Sequence, residues 1–223
     1  MLTVPFENLD IVPLRLPIQL SAKALWNKII VQRRGGFCYE LNGQIAWLLK
    51  EIGFEVTYLN GRVYNRSGER GRDFDHLTLL VQMPNHSDRW LADVGFGDSF
   101  LEPLTFKESE EQTQGLRAYR LEAVEGGMDM LQRDYTGKWV RQYFFDLQPR
   151  NFPDDYEAAC LYHQISPQSS FTHGSIISIA TPEGRITMDD IHLMVTRHGQ
   201  REERLISQEE RPAPLKKFFD VIL

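Results

Sequence analysis

A cysteine at 38, a histidine at 76 and an aspartate at 93 are the residues whose types and order could carry nucleophilic chemistry in this chain. Cys38 lies in "RRGGFCYELNG" (33–43), behind two glycines and at the head of a helix-like run. A thiol becomes a nucleophile when its thiolate is stabilised, and the exposed N–H groups at a helix start do part of that work. The paired glycines let another backbone or a substrate come close. His76 opens "HLTLLV" after a polar loop, and Asp93 ends the next apolar run before the glycine-rich "VGFG". Nucleophile, base and imidazole-orienting carboxylate in this order form the papain-like arrangement. Each residue also has a plainer reading. A lone cysteine is commonly a small buried hydrophobe, a histidine an ordinary strand residue, and an aspartate a turn former. Types and spacing leave both readings open.

Helices and strands must bring the three together. Residues 21–31, "SAKALWNKIIV", place Ala22, Leu25, Ile29 and Trp26 on one side behind Ser21 as N-cap. From Tyr39 on, Leu41, Ile45, Leu48, Leu49 and Ile52 recur at helix spacing before Gly53, which predicts a helix over about 38–52 with Cys38 in its first turn. The texture then changes. "FEVTYLNGRVYN" (54–65), "HLTLLVQM" (76–83) and "RWLADVGF" (89–96) are rich in β-branched and aromatic residues and are separated by polar breaks, so they read as strands. "AYRLEAV", "DMLQRDY" and "KWVRQYFFDL" continue that pattern across turns at Gly126-Gly127 and Thr136-Gly137, a meander that suggests a small barrel. A loop and short helix (147–166), two hairpin-like pieces (175–188 and 191–199) and a closing helix in 207–223 complete the order.

The remaining bounds are broad. A chain of 223 residues holds one large domain or two or three small ones. With 25 basic and 31 acidic residues the net charge is −6, which does not support a nucleic-acid footprint. No apolar run suits a bilayer crossing, and "MLTVPFENLD" lacks the features of a signal peptide. Two cysteines, Cys38 and Cys160, cannot build a disulfide scaffold, so reduced thiols and a cytoplasmic location are expected. Cys160 with His163 is spaced like half a metal site without a second half and reads as structural; no metal is expected.

The sequence as a whole resembles the arylamine N-acetyltransferases. The pieces that carry the resemblance are "PFENLD" (5–10), "RRGGFCYELN" (33–42), "GFEV" with "GRVY" (53–64), "DHLTLLV" (75–81), "DVGFGD" with "PL" (93–104) and "SSFTHGSIISIATPEGR" (169–185), in family order over most of the chain. The resemblance implies an α+β fold of three parts: a helical bundle carrying the cysteine (1–53), a β-barrel carrying the histidine and aspartate (54–163), and an α/β lid (164–223). It implies the triad Cys38, His76 and Asp93 at the junction of the first two parts. Cys38, as a thiolate paired with protonated His76, would take the acetyl group of acetyl-CoA and pass it to an arylamine, hydrazine or N-hydroxyarylamine. The Cys38 backbone N–H would be one oxyanion donor.

By the same resemblance Asn42 buttresses Asp93, and Glu7 pairs with Arg34. Phe6, Phe37 and Phe96 would line the acceptor pocket, while Gly97, Thr172 and Ser175 would lie near CoA. If the Glu7–Arg34 pair is buried, removing either partner should cost on the order of 3–5 kcal/mol. Relatives carry a few tens of residues before "PFEN", which here begins at residue 5. Either the start is trimmed or misassigned, or the bundle lacks its first helices. In the second case apolar surface on the two N-terminal helices would lie uncovered, inviting self-association into a homo-oligomer or lower stability. Within cysteine chemistry the rivals are a transglutaminase- or peptidase-like enzyme and an amide synthase-like relative with a larger acyl donor. A non-catalytic binding paralogue is the reading from another class.

Overall fold

The computed structural model describes residues 1–134 and 136–223. In chain order the strands are β1 (Phe6–Glu7), β2 (Glu55–Val63), β3 (His76–Gln82), β4 (Arg89–Ala92), β5 (Leu104–Thr105), β6 (Gln112–Gln114), β7 (Arg117–Val124), β8 (Gly127–Arg133), β9 (Trp139–Phe145), β10 (Ile176–Thr181), β11 (Gly184–Asp189), β12 (His192–Arg197) and β13 (Gln200–Leu205). The helices are α1 (Ala22–Leu25), continued by a π-helical stretch over Trp26–Val31, then α2 (Cys38–Glu51), α3 (Glu157–Ile165), a 3₁₀ turn at Ser170–Thr172, and α4 (Pro212–Phe219). No helix among the described residues is long and apolar enough to cross a membrane.

Eight strands form one antiparallel sheet in the order β5-β4-β3-β2-β9-β8-β7-β6, curled into a nearly closed barrel. The two edge strands do not pair backbone to backbone. Gln112 bridges them instead, accepting from the Thr105 N–H at 2.7 Å and donating to the Thr105 carbonyl at 3.0 Å. Gln114 does the same for Leu101 and Glu102 at 2.7–3.0 Å. Side-chain amides thus satisfy backbone groups that an open edge would leave bare. Inside the barrel lie Leu59, Leu91, Tyr119, Leu121, Met130, Tyr143 and Phe145, all buried.

β3 explains its own sequence. Leu77, Leu79 and Val81 pack outward against the cluster that contains Cys38, Tyr39 and Ala46 of α2. The alternate residues face the other side, where His76 meets Phe96 and Tyr143. A strand covered on both faces needs no exposed polar row, so "HLTLLV" is apolar apart from His76 and Thr78, which are themselves buried.

The five remaining strands form a sheet ordered β1-β10-β11-β12-β13, closed by α4 over a core of Leu9, Ile177, Met188, Leu193, Leu215 and Phe219. β1 comes from the opposite end of the chain and pairs Phe6 with Ser178 and Glu7 with Ile177. Tyr156 and Cys160, at and in α3, share a core with Cys38 and Tyr39 rather than with the barrel interior. The three sequence segments therefore interleave in space.

Two helix faces differ from the sequence reading. Leu25 and Ile29 are buried, but Ala22 and Trp26 are exposed. The helix widens to π geometry at Trp26, where the Gln32 N–H reaches back to the Asn27 carbonyl at 2.9 Å, and this re-aims the side chains that follow. α2 is buried all round from Cys38 to Gln44, whereas Leu48 and Ile52 emerge into solvent. Trp26 at 46%, Val31 at 63%, Leu48 at 45% and Ile52 at 63% exposure are the large apolar residues that these two helices turn outward. The rings of Trp26 and Trp47 meet edge to face there, 5.9 Å apart.

Candidate active site

Cys38 is the first residue of α2, and Phe37 before it is the extended N-cap. A residue in this position has its N–H ahead of the first intrahelical bond, directed along the positive end of the helix dipole. His76 begins β3 opposite Gly61 of β2, and a side chain at 61 would crowd the imidazole, with its Cβ 3.0 Å from that of His76. Asp93 follows directly on β4 and starts a tight turn in which its Oδ1 accepts the Gly95 N–H at 2.9 Å. The strand predicted over 89–96 thus stops at Ala92, because the aspartate is also a turn former.

The three residues converge. His76 Nε2 donates to Asp93 Oδ2 at 2.6 Å, and the Cys38 side chain is a further hydrogen-bonding neighbour of the imidazole. Burial alone would lower the His76 pKa. The Asp93 carboxylate and the bonds to Asp93 and Cys38 outweigh it and push the value up to about 10. Burial would raise the Asp93 pKa, but the imidazolium and the Asn42 and Gly95 donors hold it below the ordinary carboxylate range. Both groups are charged at neutral pH. Asn42 fixes the carboxylate from α2: its Nδ2 donates to Asp93 Oδ1 at 2.8 Å and to the Leu77 carbonyl at 2.6 Å, while its Oδ1 accepts the Val94 N–H at 2.9 Å.

Glu7 and Arg34 are bonded through Arg34 Nε to Glu7 Oε1 at 3.0 Å, with Glu7 fully buried. The pair joins two backbones, since Glu7 N–H donates to the Gly36 carbonyl at 2.9 Å and Phe6 bridges Gly36 in parallel. Sequence reasoning missed three further charges here. Arg34 also holds Asp10 Oδ1 at 3.0 Å, and Lys28 Nζ holds both Asp10 Oδ2 and Glu40 Oε1 at 2.7 Å. Three carboxylates share two cations, which changes the expected cost of each loss. Arg34→Met leaves Glu7 without its cation, and its melting temperature should fall by the equivalent of about 3–5 kcal/mol. Glu7→Gln leaves Arg34 paired with Asp10 and relieves the acid excess, so its loss should be about 1–3 kcal/mol. Thermal melts of the two variants check the ranking, and a Glu7→Gln fall as large as that of Arg34→Met contradicts it.

The expected ligand contacts fare unevenly. Phe96 stands edge-on to His76 with ring centroids 5.2 Å apart, and Phe6 lies against Gly97. Phe37 has no exposed surface, and its ring packs against Tyr39, His163 and Phe171. Thr172 and Ser175 are also committed elsewhere. The Thr172 hydroxyl donates to the Ser166 and Ser169 carbonyls at 2.9 Å, and buried Ser175 donates to Asp190 at 2.6 Å and accepts from Arg211 at 2.7 Å. Gly97 sits at φ +89°, a conformation suited to glycine. Cys160 is a free, buried thiol whose pKa burial pushes far up, and His163 is held by Asp75 at 3.2 Å and Ser169 at 2.9 Å. Among the described residues no group of three or more His, Cys, Asp or Glu is placed to hold a metal ion.

Gly95 is a site residue that the motif contained and the sequence reading passed over. A Cβ there would lie 2.5 Å from the Cys38 Cα and 2.9 Å from Asn42 Nδ2. Gly95→Ala must therefore push the turn away from α2, and a displacement near 1 Å at a reacting group costs roughly 10²-fold in rate. The expected result is a folded variant with a large loss of kcat. Wild-type kcat in that variant would contradict the close approach.

An α+β fold that sets a helix-start cysteine against a strand histidine and an aspartate in papain-like order defines a class of cysteine-nucleophile enzyme. Within that class the chain belongs to the N-acetyltransferase family, whose model matches residues 1–223. An arylamine N-acetyltransferase of Mycolicibacterium smegmatis is 36% identical over 204 residues, which cover 90% of this chain and 73% of that protein. The arylamine N-acetyltransferase of Mycobacterium marinum, solved in complex with CoA, superposes with a TM-score of 0.89 at 29% identity, covering 98% of this chain and 81% of that one. A Bacillus cereus relative with a Cys-His-Glu triad gives 0.90 at 28% identity, covering 99% and 87%. The third position in the present chain is Asp93.

Proposed function

We propose that this chain moves an acetyl group from acetyl-CoA to the nitrogen of an arylamine, hydrazine or N-hydroxyarylamine, with Cys38 as the covalent carrier. The observation that carries the assignment of residues is the imidazole of His76, bonded to Asp93 at 2.6 Å and neighboured by Cys38 at a helix start. The Cys38 thiolate attacks the thioester carbonyl while the helix-start N–H groups receive the developing oxyanion. The C–S bond to CoA breaks, and the departing sulfur takes the His76 proton. The amine then attacks the acetyl-cysteine, neutral His76 accepts its proton, and the Cys38 thiolate leaves. Thioester-to-thioester exchange is nearly isoenergetic, which suits a thiol.

Phe6 and Phe96 supply flat apolar walls beside the site for an aromatic acceptor. Two free, buried cysteines support a reducing compartment, and the cytoplasm is the location proposed. Initial-rate kinetics with both substrates varied test the covalent order. Parallel double-reciprocal lines are expected, and lines that intersect would require a ternary complex instead.

A further inference from the structure

Glu40 is the third residue of α2, two positions after Cys38, and only 1% of its surface is exposed. Its Oε2 accepts the N–H of Phe37 at 3.2 Å, in the Gly36–Phe37 peptide one step before the nucleophile, while its Oε1 binds Lys28 Nζ at 2.7 Å. The Glu40 N–H returns a bond to the Phe37 carbonyl at 3.1 Å. The carboxylate also fills the space beside Gly36, where a Cβ would fall 2.7 Å from Glu40 Oε2. The glycine step, the N-cap and the first turn of α2 are therefore braced against one side chain. None of these contacts is made to the sulfur itself.

The chemistry of the surrounding charges singles out this carboxylate. Five side chains run in a line from β1 to α2: Glu7, Arg34, Asp10, Lys28 and Glu40. With every group ionised the line carries three negative and two positive charges, and a buried site disfavours the excess. One retained proton makes it neutral. Glu7 sits on the Arg34 guanidinium and the Leu9 N–H at 2.6 Å, and Asp10 sits between both cations. Glu40 has one cation and one N–H, and Glu7 opposes its ionisation.

We propose that Glu40 is a positioning residue whose ionised form, held by Lys28, fixes the Gly36–Phe37 peptide at the N-cap of α2 and so aims the Cys38 thiol and its backbone N–H for acyl transfer. The proposal rests on the reading of Cys38 as nucleophile. Protonation loosens the brace by removing the charge from both bonds, so transfer should rise as pH climbs through the Glu40 titration. Burial pushes that titration up to about 7, with Lys28 and the Phe37 N–H pulling it back. The charged and titratable groups that face it are Glu7 from β1, Asp10 from the loop after it, Lys28 from the π-helical stretch, and Cys160 from α3. His76, pushed up to about 10, does not titrate in this range.

The test compares wild type, Glu40→Gln, Glu40→Ala and the charge-neutral double variant Lys28→Met/Glu40→Gln between about pH 5.5 and 9. The readouts are kcat and KM with p-nitrophenyl acetate as acetyl donor and aniline as acceptor, melting temperature, and amide exchange of Phe37. Glu40→Ala is expected to lower kcat roughly ten- to a hundredfold with little change in KM, and to speed Phe37 exchange by a similar factor. Glu40→Gln keeps an oxygen for the Phe37 N–H, so it should hold the rate that wild type shows on the acid side and lose the rise near neutrality. Should Glu40→Gln prove unstable, the double variant removes both buried charges and should show the same flat profile. A wild-type pH profile in the Gln or double variant would overturn the proposal. So would wild-type kcat or unchanged Phe37 exchange in Glu40→Ala. The exchange measurement needs no turnover, so a wild type that never acetylates Cys38 would sink the functional reading and leave the brace separately judged.

Discussion

Cys38→Ser should lose acetyl transfer by ~10³-fold or more while keeping its fold and melting behaviour. Cys38 is 3% exposed, and a serine hydroxyl is smaller and can use His76 as its partner, so packing changes little. Chemistry changes greatly. Asp93 keeps the imidazole protonated, with the pKa pushed up to about 10, so at neutral pH His76 has no free lone pair with which to strip a proton from an alcohol. The wild-type site avoids that demand because a thiol ionises far more readily than an alcohol. Steady-state rates and a thermal melt on the same preparation check both halves. Near-normal turnover in Cys38→Ser would refute a covalent cysteine mechanism.

Asp93→Asn should cost roughly 10²–10⁴-fold in kcat, far more than one charge at a surface would. The carboxylate has no spare face: Oδ2 accepts from His76, and Oδ1 accepts from both Asn42 and Gly95. An amide offers one acceptor oxygen and one donor NH₂. Turned one way it sets its NH₂ against the His76 N–H, and turned the other way against Asn42 and Gly95. Neither orientation satisfies the site, and the imidazolium loses its counterion in both. The stability effect carries a pH signature. The raised His76 value means that its contribution is fully present below the ordinary 6.5 and is lost as pH rises through about 10. The lowered Asp93 value means that its contribution is present above the ordinary 3.8 and is lost as pH falls below it. The gap in melting temperature between wild type and Asp93→Asn should therefore close at both ends of the pH range. Wild-type rates in the variant, or a pH-independent gap, would contradict the bond.

Much of this site was legible because its signals are local. The run from Tyr39 to Gly53 contains both the periodicity and the stop of α2, and Gly53 does take the left-handed conformation at φ +98°. Ser21 accepts from the Ala24 N–H at 3.3 Å as its place before the helix implied. What escaped depends on partners far away in sequence. Two residues, Phe6 and Glu7, form a strand only because β10 lies beside them some 170 positions later. β5 and β6 are short and polar, and glutamine side chains rather than a hydrophobic pattern close the barrel between them. Glu40 lies three residues after Phe37, the spacing of a reciprocal cap, but with no Ser, Thr, Asp or Asn at that N-cap the signal was not read, and its tie to Lys28 depends on the π-helical stretch. The packing of Phe37 was likewise out of reach: its ring meets His163 and Phe171, more than a hundred positions later in the chain, in the cluster that also holds Cys38.

The central claim is that Cys38 carries the acetyl group. Intact-protein and peptide mass spectrometry after incubation with acetyl-CoA alone, with no acceptor amine present, tests it most directly. One acetyl group on the peptide containing Cys38, absent from Cys38→Ser and discharged when an arylamine is added, is the predicted result. An unmodified Cys38 under those conditions, or an acetyl group on Cys160 or a lysine instead, would contradict it.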